Sequence, residues 1–318
     1  MQVTMATSAA KPDQPNEDFA GTVPNAVVLL DGAGLSGTTS TCLHGVAWYT
    51  RRLGGALLGQ LAAGDGQDLT AILGQAIVQV ADAHRDICDI SDPSSPSATV
   101  TIFRIDDDRA DYLALADSVL VLDHAGDVPE VITDGRVDAV GSRYRAAMDA
   151  APNGTVEHDR ALRDYIEALR AHRNRPGGFW VAADDPGAAT EALTGSRPVS
   201  ELRGAVLLSD GASRIVDQFA LADWPAVLAL LAAEGPGEVI RRVRAAEASD
   251  PQGRRWPRAK AYDDATLAWC TRFPARQTPA GPGLTPAANM IERRHVCDAG
   301  GRVDRSEWDG SETDKESP

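Results

Sequence analysis

Residues 26–30, Ala-Val-Val-Leu-Leu, form a short continuous apolar run that halts at Asp31-Gly32-Ala-Gly34, as expected for a strand buried on both faces and closed by an acidic turn. Two helices follow. Over 42–61, Leu43, Val46, Ala47, Leu57 and Leu61 approximate one helical face across Gly54-Gly55. Over 69–87, Leu69, Ile72, Leu73, Ala76, Ile77, Val80, His84 and Ile87 keep the i, i+3, i+4 spacing, with Asp68 as N-cap. The period then shortens. Residues 98–105, 112–117, 119–122 and 128–133 read as strands separated by turns such as Asp106-Asp-Asp108, together an antiparallel meander. Residues 134–176 are polar and irregular apart from a helical patch at Leu162, Tyr165, Ile166 and Leu169, and an apolar strand resumes over 177–183. A segment so placed between strands is a candidate flap over a site.

The last third repeats the motif of strand followed by acid. Residues 205–208 run into Ser209-Asp210-Gly211, and helices are expected near 214–219, 224–234 and 238–247, with Asp223 as an N-cap. Asp263-Asp264 introduces a further strand over 265–270. Residues 1–10 read as a flexible N-terminus, 11–272 as one catalytic-sized domain, and 273–318 as a disordered acidic tail too rich in Pro, Gly, Asp, Glu and Ser to bury itself.

Charge narrows the partners. Lys and Arg number 31 against 46 Asp and Glu, a net charge of −15, which disfavours nucleic-acid backbones and anionic membranes as partners. No apolar run approaches the roughly 20 residues of a membrane span, and the N-terminus lacks a basic segment followed by an apolar one, so a cytoplasmic location is expected. Cys42, Cys88, Cys270 and Cys297 are scattered, which suits reduced thiols better than a disulfide framework. Cys42 and His44 are potential zinc ligands two positions apart, but with no second pair nearby the spacing is a weak signal.

The acidic groups carry the chemistry. Asn16-Glu17-Asp18, Asp31-Gly32 and Ser209-Asp210-Gly211 stand at strand ends or turns, and Asp263-Asp264 precedes a strand. A lone Asp-Gly pair is usually a turn and nothing more. Several at one sheet edge would repel one another unless cations sat between them, and oxygen ligands without His or Cys select Mg²⁺ or Mn²⁺. Such a centre suits phosphoester hydrolysis by an activated water.

Taken in order, Asn16-Glu17-Asp18-Phe19, Val-Val-Leu-Leu-Asp31-Gly32-Ala-Gly34, Ser97-Ala98-Thr99-Val100, Leu115-Ala116-Asp117-Ser118, Leu207-Leu208-Ser209-Asp210-Gly211 and Asp263-Asp264-Ala-Thr266 resemble the motifs of PP2C-type metal-dependent protein phosphatases. The resemblance spans most of the chain. It implies an α+β fold, a four-layer α-β-β-α sandwich of two antiparallel sheets flanked by helices, with a dinuclear Mg²⁺ or Mn²⁺ centre at one end. By that resemblance Asp31 bridges both ions and the Gly32 carbonyl is a ligand. Asp210 and Asp263 hold one ion, Glu17 and Asp18 hold the other directly or through water, and Asp117 supports a third. Thr99 would order the site by hydrogen bonding. The implied activity is hydrolysis of phosphoserine and phosphothreonine in a phosphoprotein substrate, by a monomer of bacterial type.

Three departures qualify the resemblance. The family's phosphate-gripping arginine is missing, because Asp13 occupies its offset four residues before Glu17; Lys11, Arg51, Arg52, Arg173 and Arg175 are the substitutes on offer, with Arg173 and Arg175 preferred as part of a basic stretch beside the flap. Ala33 stands where many members carry a histidine proposed as general acid, and His44 just downstream is the candidate replacement. Ala116 replaces the glycine before Asp117. Loss of the arginine also motivates an alternative reading, a catalytically impaired pseudophosphatase that binds metal and phosphoprotein as a regulatory module.

Overall fold

The computed structural model describes residues 1–34, 42–126 and 128–273. The strands are β1 (Gln2–Ser8), β2 (Phe19–Val23), β3 (Ala26–Ala33), β4 (Ser97–Asp106), β5 (Arg109–Leu115), β6 (Val119–His124), β7 (Glu130–Ile132), β8 (Leu193–Pro198), β9 (Leu202–Leu208) and β10 (Ala265–Thr271). The helices are α1 (Val46–Ala63), α2 (Leu69–Asp82), α3 (Arg136–Gly141), α4 (Ala146–Asp149), α5 (Val156–Arg170), α6 (Asp210–Ser213), α7 (Trp224–Glu234) and α8 (Pro236–Ser249). Two antiparallel five-stranded sheets form, in the orders β1-β10-β9-β6-β7 and β2-β3-β4-β5-β8.

Strand period explains the layering. In β3, Val28 and Leu30 pack with Leu53, Leu57, Leu73 and Ile77 of α1 and α2, while Val27 and Leu29 face Leu120, Leu122 and Leu207 of the other sheet. That second sheet buries Val121, Val206 and Leu208 against Val227, Leu231, Val239 and Val243 of α7 and α8. The layers are therefore helix, sheet, sheet, helix, as the sequence motifs imply. Asp68 caps α2 by accepting from the Thr70 N–H at 2.8 Å, and Asp223 caps α7 by accepting from Ala226 at 2.9 Å. Among the described residues, no helix is long and apolar enough to cross a membrane.

Several expectations change in the tertiary structure. Residues 1–10 are not a free end: β1 is an edge strand, paired with β10 from Gln2↔Thr271 to Ser8↔Ala265. Phe273, assigned above to the tail, packs against the sandwich interior with its ring 5.7 Å from that of Phe103; residues 274–318 lie outside the described residues. The meander breaks after β5, because β6 leaves that sheet and pairs with β7 and β9. Residues 134–176 contain three helices, α3 to α5. The strand expected over 177–183 reduces to isolated bridges, Ala98↔Ala182 and Arg173↔Phe179, and the helix expected over 214–219 is turn. Strands β2 and β8 were hidden by small and polar residues.

Candidate metal centre

Close approach of backbones, rather than turn formation, accounts for the two Asp-Gly pairs. Asp31 and Gly32 lie inside β3, and Asp210-Gly211 opens α6 immediately after β9. A Cβ on Gly32 would stand 2.5 Å from the Glu17 carbonyl oxygen, and one on Gly211 only 1.9 Å from that of Asp264. Only glycine lets the 16–18 segment and the start of β10 close down on these two carboxylates.

Asp31 and Asp210 meet directly. The Asp210 N–H donates to Asp31 Oδ2 at 3.1 Å, and the Asp31 N–H donates to Thr99 Oγ1 at 3.2 Å. Thr99 in turn shares a 2.5 Å hydroxyl contact with Ser118, so the threonine does position the site's backbone. Asp117 sits where the chain passes from one sheet to the other. The preceding Ala116 is fully buried with φ +67°, the left-handed conformation that a glycine would adopt freely and that costs an alanine roughly 1–2 kcal/mol.

A cleft of about 250 Å³ lies over these groups. Asp31, Gly32, Thr99, Asp117 and Asp210 line it on the sandwich side, and Val137, Leu162, Ile166, Leu169, Arg170 and Arg173 line it from the helical 134–176 segment. The helical patch at 162–169 is thus the cleft's apolar wall. Arg173 donates through Nη1 to Ser97 Oγ at 3.2 Å and through Nη2 to the Pro93 carbonyl at 2.8 Å. Arg170, absent from the sequence reading, contacts Glu167 through Nη1, while its buried Nε and Nη2 have no partner. Its signal was available: it continues the stripe one turn beyond Ile166. Arg175 is exposed and does not line the cleft.

The acids divide into two electrostatic groups. Burial, with repulsion from Asp210, Asp18 and Asp263, drives the Asp31 carboxyl well above its ordinary value. Burial pushes Asp18 up to about 7 against hydroxyl contacts from Thr266 and Ser209, and Asp18 Oδ2 is buried without a partner. Burial and the charge of Asp210 lift Asp117 to about 7 as well, and burial raises Glu17. Asp263 behaves differently. Burial would raise it, but Lys260 and Arg214 overcome that and hold it below the usual range, with contacts of 2.9 and 2.7 Å. Asp264 is a bracket rather than a cleft group: its two oxygens accept from the Ala10 and Glu17 N–H groups, each at 2.7 Å.

An orphaned carboxylate oxygen beside several buried, mutually repelling acids is the donor set of a hard divalent cation, so the residues present fit Mg²⁺ or Mn²⁺. His44, by contrast, is not among the cleft-lining residues; its Nδ1 lies against Cys42 and Cys88 and its ring stacks on Trp48 at 4.1 Å.

The fold is that of the PP2C-type phosphatases. Over 86% of this chain and 95% of the other, it superposes on the serine/threonine phosphatase Stp1 from Staphylococcus aureus with a TM-score of 0.52 at 12% identity. A bacterial serine phosphatase gives 0.50 at 13% identity over 85% and 97% of the two chains, and a C. elegans sex determining protein gives 0.51 at 15% over 85% and 64%. No protein-family model matches the chain, and no curated protein matches it by sequence.

Proposed function

We propose that this protein is a divalent-cation-dependent phosphatase acting on phosphoserine and phosphothreonine in proteins. The observation that carries the reading is the convergence, in one cleft, of Asp31, Asp117 and Asp210 with two arginines that have N–H groups to spare. Asp31 would bridge two Mg²⁺ or Mn²⁺ ions with the Gly32 carbonyl beside it, Asp210 and Asp263 would hold one, Glu17 and Asp18 the other, and Asp117 a third. Cations so held supply Lewis acidity toward a phosphoryl oxygen and toward water.

The chain's own residues do the rest. Arg170 and Arg173 replace the missing N-terminal arginine and grip the phosphoryl oxygens; Arg173 uses two of its roughly five N–H donors on Ser97 and Pro93, and Arg170 uses one on Glu167. Arg214 orients Asp263 from behind, and its other contact, 2.9 Å to Glu247, anchors the guanidinium in turn. Val137, Leu162, Ile166 and Leu169 exclude water from one side of the cleft.

The test is phosphate release from an aryl phosphate and from a phosphothreonine peptide, with Mn²⁺, with Mg²⁺ and with chelator, beside the Asp210→Asn protein. Cation-dependent release that disappears in the variant supports the proposal. No release from protein shown by calorimetry to bind the cation overturns it in favour of the regulatory pseudophosphatase, the reading that the loss of arginine at position 13 favours.

A further inference from the structure

The fold brings together three residues that the sequence keeps far apart. Cys42 lies just before α1, His44 two residues on, and Cys88 beyond the end of α2. His44 Nδ1 is 3.8 Å from Cys42 Sγ and 3.5 Å from Cys88 Sγ, and the three potential ligand atoms all lie within 4.8 Å of one another. Among the described residues, no other group of three Cys, His, Asp or Glu donors is drawn so close, the cleft acids included.

The two sulfur–nitrogen separations match those set by one tetrahedral zinc ion. Zn–S of about 2.3 Å and Zn–N of about 2.0 Å at tetrahedral angles place sulfur and nitrogen about 3.6 Å apart. The Leu43 N–H points at Cys88 Sγ from 3.4 Å. Both cysteines are buried, at 6% and 7% exposure, and the His44 ring is held by Trp48, whose face is in turn edged by His84 at 5.0 Å between centroids.

We propose that Cys42, His44 and Cys88 form a second metal site, separate from the acidic cleft, that takes a soft divalent cation, zinc above all. Binding releases the two thiol protons to solvent; both sulfurs and the His44 Nδ1 lone pair coordinate, and water completes the tetrahedron. Two thiolates and an imidazole disfavour Mg²⁺, so the two sites sort their ions by donor softness. The position of the site says what it does. It ties the entrance of α1 to the loop between α2 and β4, and that loop carries Ser94 and Ser95 of the cleft wall and the Pro93 carbonyl that holds Arg173. On the phosphatase reading proposed above, the site therefore fixes the rim that would grip phosphate.

The experiment is a Co²⁺ titration of the reduced full-length protein, followed by zinc competition and by measurement of zinc content after chelation. A near-ultraviolet thiolate-to-cobalt band that saturates at one equivalent, is displaced by zinc, survives Asp210→Asn and is lost in Cys42→Ser and in Cys88→Ser is the expected result. Carboxylate sites give no such band, so failure of the phosphatase reading would leave this result untouched. Absence of the band from folded, reduced wild-type protein overturns the proposal, as does a Cys42–Cys88 disulfide that forms in the presence of excess zinc. The wild-type titration and zinc content decide the question even if a cysteine variant fails to fold.

Discussion

Two groups of buried acids lie side by side in this molecule and are treated in opposite ways. Behind the cleft, Glu247, Asp250 and Asp263 are each matched: Arg214 bridges Glu247 and Asp263, Arg244 adds a 2.6 Å contact to Glu247, and Arg258 reaches Asp250 at 3.3 Å. Asp31 and Asp117, which line the cleft, and Asp18 are instead raised by burial and by repulsion, from Asp210 in every case, and none of the three has an ion pair with a side-chain cation. A matched buried acid is fixed in place by the protein's own cations, whether it braces the scaffold, as Glu247 and Asp250 do, or is pre-oriented toward the proposed cation site, as Asp263 is. An unmatched one fits the proposed cation site, because the protein spends none of its own cations on it.

Substitutions on the two sides should therefore have opposite signatures. Arg214→Met leaves Glu247 and Asp263 buried with less compensation and should lower unfolding free energy by about 3–5 kcal/mol in a urea titration. Asp31→Asn should cost less than about 1 kcal/mol in the cation-free protein, because it removes a buried charge that Asp210, Asp18 and Asp263 repel, yet abolish the rise in melting temperature on adding Mn²⁺. If instead Asp31→Asn unfolds the protein and Arg214→Met is silent, the division between scaffold and ligand groups is wrong.

Arg170→Ala tests the cleft from its other wall. Removing a charge-assisted contact to phosphate should raise KM for a phosphopeptide about tenfold with a smaller change in kcat, and leave the urea midpoint nearly unchanged, since Nε and Nη2 have no protein partner to orphan.

The smallest effect is the pH dependence. Asp18 and Asp117 titrate near 4 in the unfolded chain and near 7 in the cation-free fold, so between those values the native state binds more protons and stability falls as pH rises. Cation-free protein should melt a few degrees lower at pH 8 than at pH 6, and Mg²⁺ should raise the melting temperature more at pH 8, where it no longer competes with protons; differential scanning fluorimetry checks both. A cation-free stability that climbs through this range would contradict the unmatched environment of these two acids.

Much of this was legible along the chain. The periodicity of α2 survives packing from Leu69 to Val80, with Ile87 exposed beyond its end, whereas of the face read over 42–61 only Leu57 and Leu61 are buried and Leu43 is exposed before α1 begins; α7 and α8 stand where helices were expected. Asp31, Asp117 and Asp210 of the cleft were legible too, through the order of the motifs that carry them rather than through any one Asp-Gly pair, which alone reads as a turn. Elements lacking an apolar signature were not: β1 reads QVTMATS and β8 reads LTGSRP, and each becomes a strand only because a partner strand offers its hydrogen-bonding edge.

Local sequence thus determined which segments could be helix or strand and which residue types the cleft would hold, because propensity and hydrophobic period act within a few residues. Tertiary structure alone decided the pairings across long separations. It set Asp264 against the Ala10 and Glu17 backbones, gave Arg170 to the cleft and left Arg175 outside it, and joined Cys88 to Cys42 and His44. The physical reason is that a side chain's partner is fixed by where two elements cross, and crossing points follow from the packing of four layers rather than from spacing along any one of them.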